Sequence, residues 1–435
     1  MAEYQIVRAA FLFFFVLHLL IETVLSVINS RYLARRISGT DSQFPNSRKL
    51  VSVPEIPEAL RAAYSPEVYA KSVSYALARA RFGHVARFLA AAVTLLWLFS
   101  GTIPILDDFP GAFLGLEGLT HDVVVLLLFF LLNAALSLPL ESYATFRLEA
   151  RYGFNKTTAG TFWLDKLKGL FLLLVLGVPF LYGVLATITL TGPLWWLWLA
   201  IFVIAFQLLV TVLFPVFIAP LFNKFTPLQE GELRTQLEAR CAQCDFATRG
   251  VFVVDGSKRS GHSNAWFAGL GKARRIALFD TLIEQLNVPE LCAVLAHEIG
   301  HYKRKHILKM LVLSAALTLL GSYILSLVLD WGPLYVAFSL GVGSGHEQKG
   351  LLALSLIAGH FTFWVGPLFH FVSRRHEYEA DAYAAAQAGG AEPVQSALLK
   401  IYAKNLAAPL PHPAYSAYHY SHPTLLERIN AMKEP

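Results

Sequence analysis

The residues best suited to chemistry lie in one short segment, where His297, Glu298 and His301 form the pattern HEIGH. Because residues i and i+4 lie on the same face of a helix, both imidazoles can bind one metal ion. Imidazole nitrogen is a common zinc ligand, and catalytic zinc sites leave one coordination position for water. Glu298 is placed to take a proton from that water. The pattern predicts a hydrolytic site with one Zn²⁺ per chain and Glu298 as the general base.

A second segment, RRHEYEAD, supplies carboxylates at the same helical spacing. Glu377 and Asp381 are i and i+4 and therefore share a helix face. We expect Glu377 to complete a His, His, Glu ligand set, and Asp381 to accept a ring N–H from a ligand histidine. The alternative is a solvated acidic helix face, which is the interpretation we adopt for Glu379.

The elements around the HEIGH pattern must hold it in place. Residues 220–306 have the pattern of a small mixed domain, and we expect a helix to begin at Pro289 and to carry the HEIGH residues. Pro and Glu both favour the first turn of a helix. The other predicted elements are a helix over 233–241 and strands over 251–254, 264–270 and 276–279.

The composition places this domain in a membrane protein. The 435 residues are 55% hydrophobic and 15% charged, with a mean hydropathy of +0.51, whereas soluble proteins carry about 25% charged residues. Disorder, a coiled coil and a disulfide scaffold are excluded. Cys241 and Cys244 form a lone CxxC pair, for which a structural role is expected because a zinc ribbon needs four ligands.

Seven apolar stretches are near the length that spans a bilayer. Of the 36 Lys and Arg, 33 lie in the segments on one side of these stretches. Basic loops are retained in the cytoplasm, so the long polar segments and the C-terminus are predicted to be cytoplasmic and the N-terminus external. Topology therefore explains the basic runs, and we expect no nucleic-acid partner. The predicted spans are 7–29, 86–105, 122–140, 169–190, 194–219, 307–329 and 350–372.

The topology brings the two chemical segments to the same side. Two spans, one outward and one returning, separate His301 from Glu377. Both residues are therefore expected at the cytoplasmic face, where they can share one metal ion.

The sequence resembles the type I CAAX prenyl protease family of integral-membrane zinc metalloproteases. Besides the spans in the expected order, five segments carry the resemblance, and together they cover nearly the whole chain. They are RYGFNKTT (151–158), SKRSGHSNAWF (257–267), HEIGH (297–301), SRRHEYEADAYA (373–384) and HYSHPTLLER (419–428).

The resemblance implies a mostly α-helical, polytopic protein. Seven transmembrane helices would form a chamber, closed by a small cytoplasmic α+β zincin-like domain. It implies that His297, His301 and Glu377 bind zinc and that Glu298 is the general base. Asn264 would lie in the strand that holds the substrate backbone, and His422 would bind the substrate or the developing oxyanion. From the residues alone, His422 could equally be a surface histidine.

The predicted function is hydrolysis of peptide bonds near the C-terminus of CAAX-type proteins, prenylated or not. One alternative is a membrane quality-control protease that cuts unprenylated or misfolded membrane proteins. A transporter or channel is a remote alternative, because the internal duplication it predicts is not found. The bacterial inner membrane and the endoplasmic reticulum both remain open as locations. The predicted segments are 1–219 (five spans), 220–306 (protease), 307–372 (two spans) and 373–435 (third ligand).

Overall fold

The computed structural model describes residues 2–36, 56–248, 250–268, 275–341 and 346–433, and most of these are helical. The helices are α1 (Glu3–Arg35), α2 (Pro66–Phe99), α3 (Thr102–Leu114), α4 (Gly118–Tyr143), α5 (Ala150–Tyr152), α6 (Ala159–Leu172), α7 (Val178–Leu190), α8 (Trp195–Leu213), α9 (Ala219–Phe222), α10 (Glu232–Gln243), α11 (Asp280–Ile283), α12 (Val288–Lys303), α13 (His306–Leu329), α14 (Gly332–Ala337), α15 (Glu347–Thr362), α16 (Gly366–Ala388), α17 (Glu392–Lys404), α18 (Pro413–His419) and α19 (Leu425–Ala431). The strands are β1 (Phe225–Pro227), β2 (Val251–Val254), β3 (Ala265–Ala268) and β4 (Arg275–Phe279).

Seven helical stretches within the described ranges are long and apolar enough to cross a membrane, which confirms the predicted number of spans. Large apolar side chains along them are exposed, including Val212, Phe217 and Ile324. Exposed apolar surface of this kind suits contact with lipid, where helices satisfy their own backbone hydrogen bonds. The stretches are Glu3–Arg35, Pro66–Phe99, Gly118–Tyr152, Ala159–Leu190, Gly192–Phe222, His306–Leu329 and Glu347–Ala388.

The second span ends earlier than its hydropathy predicts. The apolar pattern continues over 86–105, but α2 stops at Phe99 and a new helix, α3, begins at Thr102. Gly101 between them has a φ of +77°, a left-handed conformation that glycine adopts readily and that ends an α-helix. Hydropathy does not detect this break, because Ile103 and Leu106 on the far side are equally apolar and buried.

The four strands form one mixed sheet in the order β1-β2-β4-β3. The strand β2 runs parallel to β4, and the two outer strands pair antiparallel with their neighbours. Strands predicted over 251–254 and 276–279 are confirmed. The strand predicted over 264–270 corresponds to β3, and residues 269–270 lie outside the described residues. The short strand β1 was not predicted. It forms one edge of the sheet beside β2, and β3 forms the other edge among the described residues.

The helix α12 connects the sheet to the membrane helices. Its first turn has a capping box: the Asn287 side chain accepts from the Glu290 N–H, and the Glu290 carboxylate accepts from the Asn287 N–H. Leu291, Leu295 and Ile299 on one face join the buried core that includes Leu278 and other residues of the sheet. The opposite face is free to pack against α16, and the two helices carry the predicted ligands. The division of the chain at residues 219, 306 and 372 stays a prediction.

Candidate active site

A glycine allows the two ligand-bearing helices to approach closely. A Cβ placed on Gly300 would lie 3.2 Å from the Ala380 Cα and 3.2 Å from the Ala380 carbonyl oxygen. Any larger residue at position 300 of α12 would therefore push α16 away. Gly300 immediately precedes His301, and Ala380 lies one helical turn beyond Glu377. The close approach thus brings the HEIGH residues to the carboxylates of α16.

Three side-chain donors converge at this crossing. The Nε2 atoms of His297 and His301 are 3.1 Å apart. The Glu377 carboxylate lies 3.5 Å from the His297 Nε2 through Oε2 and 3.4 Å from the His301 Nε2 through Oε1. Among the described residues, these three form the one group of His, Cys, Asp and Glu side chains with the spacing of a metal site.

This donor set fits zinc. Ligand atoms about 2.0–2.1 Å from a tetrahedral ion lie about 3.3–3.4 Å from one another. The two Nε2 atoms are 3.1 Å apart, and each lies within 3.5 Å of one oxygen of the Glu377 carboxylate. The chemistry also fits, because two imidazole nitrogens and a carboxylate are the ligands of many catalytic zinc sites. The Glu377 side chain is only 7% exposed. Burying a carboxylate there calls for positive charge nearby.

Asp381 lies beside His297, one of the predicted ligands. The Asp381 Oδ1 lies 2.9 Å from the His297 Nδ1, on the side of the ring away from Glu377. Arg428 donates to both Asp381 oxygens, at 2.7 Å from Nε and 2.6 Å from the second terminal nitrogen. A terminal nitrogen of the same guanidinium lies 3.5 Å from Glu377. Arg428 is therefore paired mainly with Asp381.

Glu379 is not the solvated charge that the sequence predicted. Its carboxylate accepts from the His306 Nε2 at 3.1 Å and from the exposed Arg375 Nε at 3.2 Å, and its side chain is only 29% exposed. The other ring nitrogen of His306 lies 3.0 Å from the His301 Nδ1. The prediction was wrong because the break between α12 and α13 folds His306 back over α16.

Glu298 lies where two cavities meet. A cavity of about 590 Å³ extends towards the sheet, and another of about 530 Å³ extends between the membrane helices; Glu298, His301 and Glu377 line both. Burial raises the pKa of the Glu298 carboxyl, while His297 and His301 act in the opposite direction. Burial also opposes protonation of His297, but Asp381 and Glu377 raise the pKa of that imidazole to about 9. A metal ion would displace this proton, because ligation requires the neutral ring.

Asn264 and His422 lie on the same cavity as the three donors. Asn264 is exposed and directly precedes the edge strand β3, and its carbonyl accepts from the Phe279 N–H at 3.1 Å. The His422 Nε2 is 3.4 Å from the Glu377 Oε1, and 59% of the side chain is exposed. All seven residues predicted for the active site therefore line the same cavity.

Sequence reasoning missed several residues of this site. Tyr402 and Asn405 of α17 and the following turn line the larger cavity. The Asn405 side chain accepts from the Ser263 N–H at 3.0 Å and donates to the Ser263 carbonyl at 3.2 Å, which fixes the backbone ahead of Asn264. No spacing rule could have found these contacts, because they join positions far apart in the chain.

Two helices that carry the HEIGH pattern and a carboxylate cross where a small mixed domain meets membrane helices. This arrangement is typical of membrane zinc metalloproteases, and this chain is a protein of that class. Two family models together match most of the chain. The first, described as CAAX prenyl protease N-terminal, five membrane helices, matches residues 47–224. The second, peptidase family M48, matches residues 227–435. The chain belongs to the CAAX prenyl protease branch of peptidase family M48.

Individual relatives agree with the family models. The chain is 36% identical to CAAX prenyl protease 1 homolog of Arabidopsis thaliana over 395 residues, covering 88% of this chain and 91% of the relative. It is 34% identical to CAAX prenyl protease 1 of Saccharomyces cerevisiae over 407 residues, covering 88% and 89%. The crystal structure of S. mikatae Ste24p superposes with a TM-score of 0.87 at 31% identity, over 99% of each chain.

Proposed function

We propose that His297, His301 and Glu377 bind one Zn²⁺ per chain and that Glu298 is the general base of peptide hydrolysis. The observation that carries this proposal is the convergence of two imidazole Nε2 atoms, 3.1 Å apart, on the Glu377 carboxylate at the junction of two cavities. One carboxylate oxygen lies 3.5 Å from His297 and the other lies 3.4 Å from His301. Bound zinc would supply a Lewis acid that polarises the scissile carbonyl and makes water a stronger nucleophile.

The side chains around the donors perform the remaining steps. The Glu298 carboxylate takes a proton from the attacking water and transfers it to the leaving amine. Asp381, held by Arg428, keeps the His297 proton on Nδ1, so that Nε2 presents its lone pair to the metal position. His422 donates to the oxygen that becomes negative as the carbonyl is attacked, a contribution typically worth a few kcal/mol.

Asn264 and β3 are proposed to bind the substrate backbone. An edge strand offers unpaired N–H and C=O groups that an extended peptide can satisfy. Main-chain recognition tolerates different side chains, so this surface alone does not select a CAAX sequence. Selection would come from the prenyl group and the chain end.

The proposed substrates are CAAX-type proteins, cut near their C-termini and carrying a prenyl group. The support is the family membership and the similarity to the CAAX prenyl proteases of Arabidopsis thaliana and Saccharomyces cerevisiae. A quality-control protease with the same metal chemistry would act without a prenyl group, and this is where the two functions differ.

Purified protein in detergent, loaded with zinc, would be incubated with a farnesylated CAAX peptide and with the same peptide lacking the farnesyl group. We expect cleavage of the first at a kcat/KM at least tenfold above the second, with release of the C-terminal residues detected by mass spectrometry. The Glu298→Gln variant is the control for contaminating proteases. Equal cleavage of both peptides would overturn the CAAX assignment and favour quality control.

The active site is proposed to face the cytoplasm, on the strength of the basic residues that accompany it. The sequon Asn155-Lys-Thr then stays unmodified on expression in a eukaryotic cell, whereas a sequon introduced within 115–118 is glycosylated. A glycosidase-sensitive Asn155 would reverse the orientation. The bilayer itself could be the bacterial inner membrane or the endoplasmic reticulum.

A further inference from the structure

A second histidine stands behind one of the proposed metal ligands. His306 is the first residue of α13, and Lys305 before it has a φ of +57°. This left-handed residue reverses the chain after α12, so the His306 ring packs against His301. The two Nδ1 atoms are 3.0 Å apart, and the His306 Nε2 is 3.1 Å from the Glu379 Oε2. The whole His306 residue is only 3% exposed.

The direction of these hydrogen bonds follows from the position of the metal site. The His301 Nε2 is one of the proposed metal-binding atoms, so a neutral ring that binds metal there must carry its proton on Nδ1. That N–H donates to the His306 Nδ1, and the His306 Nε2–H donates to the Glu379 carboxylate. The three side chains form one line of hydrogen bonds that ends at the His301 lone pair.

The two ligand histidines are thus supported differently. His297 has a carboxylate, Asp381, directly at its Nδ1, at 2.9 Å. His301 has a carboxylate, Glu379, at one remove through His306. Polar partners of this kind fix the tautomer and the ring orientation of metal-binding histidines, and their loss typically costs about 10–100-fold in metal affinity or activity.

We propose that His306, oriented by Glu379, is a positioning residue that holds His301 in its metal-binding tautomer. This inference rests on the proposed ligand set His297, His301 and Glu377. The His306 ring is held in addition by a face-to-face stack on His376, with ring centroids 4.0 Å apart and planes inclined by 12°. The stack fixes the plane of the ring, and Glu379 fixes which nitrogen carries the proton.

Two substitutions separate hydrogen bonding from packing. His306→Phe keeps a flat ring on His376 but removes both nitrogens. His306→Asn places an acceptor oxygen near the position of the His306 Nδ1 and so retains the bond from His301. His376→Phe is the matched control, because it preserves the stack and leaves His306 intact.

The readouts are zinc affinity by chelator competition and the visible absorption spectrum of the Co²⁺-substituted protein. We expect His306→Phe to weaken zinc binding about 10–100-fold and to alter the cobalt spectrum. His306→Asn and His376→Phe should stay within a few-fold of the unmodified chain. Unaltered zinc affinity and cobalt spectrum in a folded His306→Phe protein would overturn the proposal, and so would equal losses in His306→Phe and His306→Asn.

If His306→Phe does not fold, the variants Glu379→Leu and Glu379→Gln test the same series of hydrogen bonds at the Glu379 carboxylate. The amide oxygen of Gln can still accept from the His306 Nε2–H, so only the Leu variant should lose affinity; equal affinities overturn the proposal. His301→Ala separates this failure from that of the proposed function. If the His301→Ala protein still binds zinc, the proposed ligand set is wrong. If the His301→Ala protein loses zinc but the His306→Phe protein binds it with unaltered affinity, only the role of His306 is refuted.

Discussion

Arg428 holds both carboxylate oxygens of Asp381 in a bidentate pair, at 2.7 and 2.6 Å, in a place where neither side chain is more than 6% exposed. The pair joins α19 near the C-terminus to α16, and Asp381 in turn contacts His297. Burial acts against the charge of Arg428, but Asp381 raises the pKa of its guanidinium further above the usual range. The C-terminal helix is therefore connected to the proposed metal site through Arg428, which also lies 3.5 Å from Glu377.

Removing Arg428 should destabilise the metal-free protein strongly. Arg428→Leu leaves Asp381 and Glu377 buried with a lost partner, and breaking a buried pair typically costs about 3–5 kcal/mol. Arg428→Lys should recover only part of this, because an ammonium cannot donate in a bidentate fork. Thermal unfolding of the solubilised protein measures both effects.

The control for Arg428 is an exposed ion pair elsewhere in the chain. Arg234 and Glu238 on α10 are 2.8 Å apart with side chains 39% and 48% exposed, so Arg234→Leu should cost at most about 0.5 kcal/mol. An Arg428→Leu protein that melts like Arg234→Leu would show that the buried pair contributes little to stability.

Glu298→Gln should separate metal binding from catalysis. The amide cannot accept a proton from water, so kcat/KM should fall by at least about 10²–10⁴-fold, the usual contribution of general acid–base catalysis. Zinc content, measured by mass spectrometry of the metal, should stay at one per chain because Glu298 is not a proposed ligand. Glu284→Gln, at an exposed position, is the matched control and should leave both unaltered. Retained activity in Glu298→Gln would exclude Glu298 as the base.

The sequence predicted the number of spans and the two histidines of the proposed site because both depend on local rules. Apolar runs of sufficient length mark membrane helices, and the i, i+4 spacing puts His297 and His301 on one helix face. Both properties can be read from a short window of sequence. The bounds of the spans were less accurate, since the left-handed Gly101 ends α2 inside a continuous apolar run.

The contacts that support the site could not be predicted in this way. His306 reaches His301 only because Lys305 adopts a left-handed conformation, which is uncommon for residues other than glycine and asparagine. Arg428 lies 47 positions from Asp381, and several other carboxylates could have been its partner. Such contacts depend on how the helices pack against one another, and neither hydropathy nor residue spacing predicts that packing.

Arg259 is expected to position β3, the proposed substrate-binding strand, through its contacts with the membrane helices. Its guanidinium donates to both oxygens of Asp165 in the fourth membrane stretch, at 2.7 and 2.8 Å. Its carbonyl accepts from the Lys156 N–H at 3.1 Å and from the Thr157 hydroxyl at 3.0 Å. The turn ahead of Asn264 is thereby fixed to the membrane helices.

Arg259→Lys should therefore raise KM several-fold with little effect on zinc content, because the bidentate contact is lost far from the ligands. Charge-assisted hydrogen bonds of this kind contribute about 1.5–3 kcal/mol each. The matched control is Lys258→Met, at the exposed neighbouring position. Peptide kinetics on both variants is the measurement, and equal KM values would remove Arg259 from substrate positioning.

Glu290 should make part of the stability depend on pH. Its carboxylate, 4% exposed, lies 2.6 Å from the Lys400 Nζ and accepts from the Ser396 hydroxyl at 2.6 Å, which fastens α17 to the start of α12. Burial acts to raise its pKa, but Lys400, Ser396 and the Asn287 N–H lower it below the usual 4.5. The unfolded chain therefore takes up the proton more readily than the folded chain.

It follows that the Lys400–Glu290 contribution is fully present above about pH 4.5 and declines as the pH falls through the lowered pKa. Lys400→Met should cost about 1–3 kcal/mol at pH 7, towards the lower end because Lys400 is 42% exposed. The difference in unfolding temperature between the variant and the unmodified chain should shrink from pH 7 to pH 4. A difference that stays constant over this range would mean that Lys400 acts through packing of its aliphatic stem rather than through the ionised Glu290.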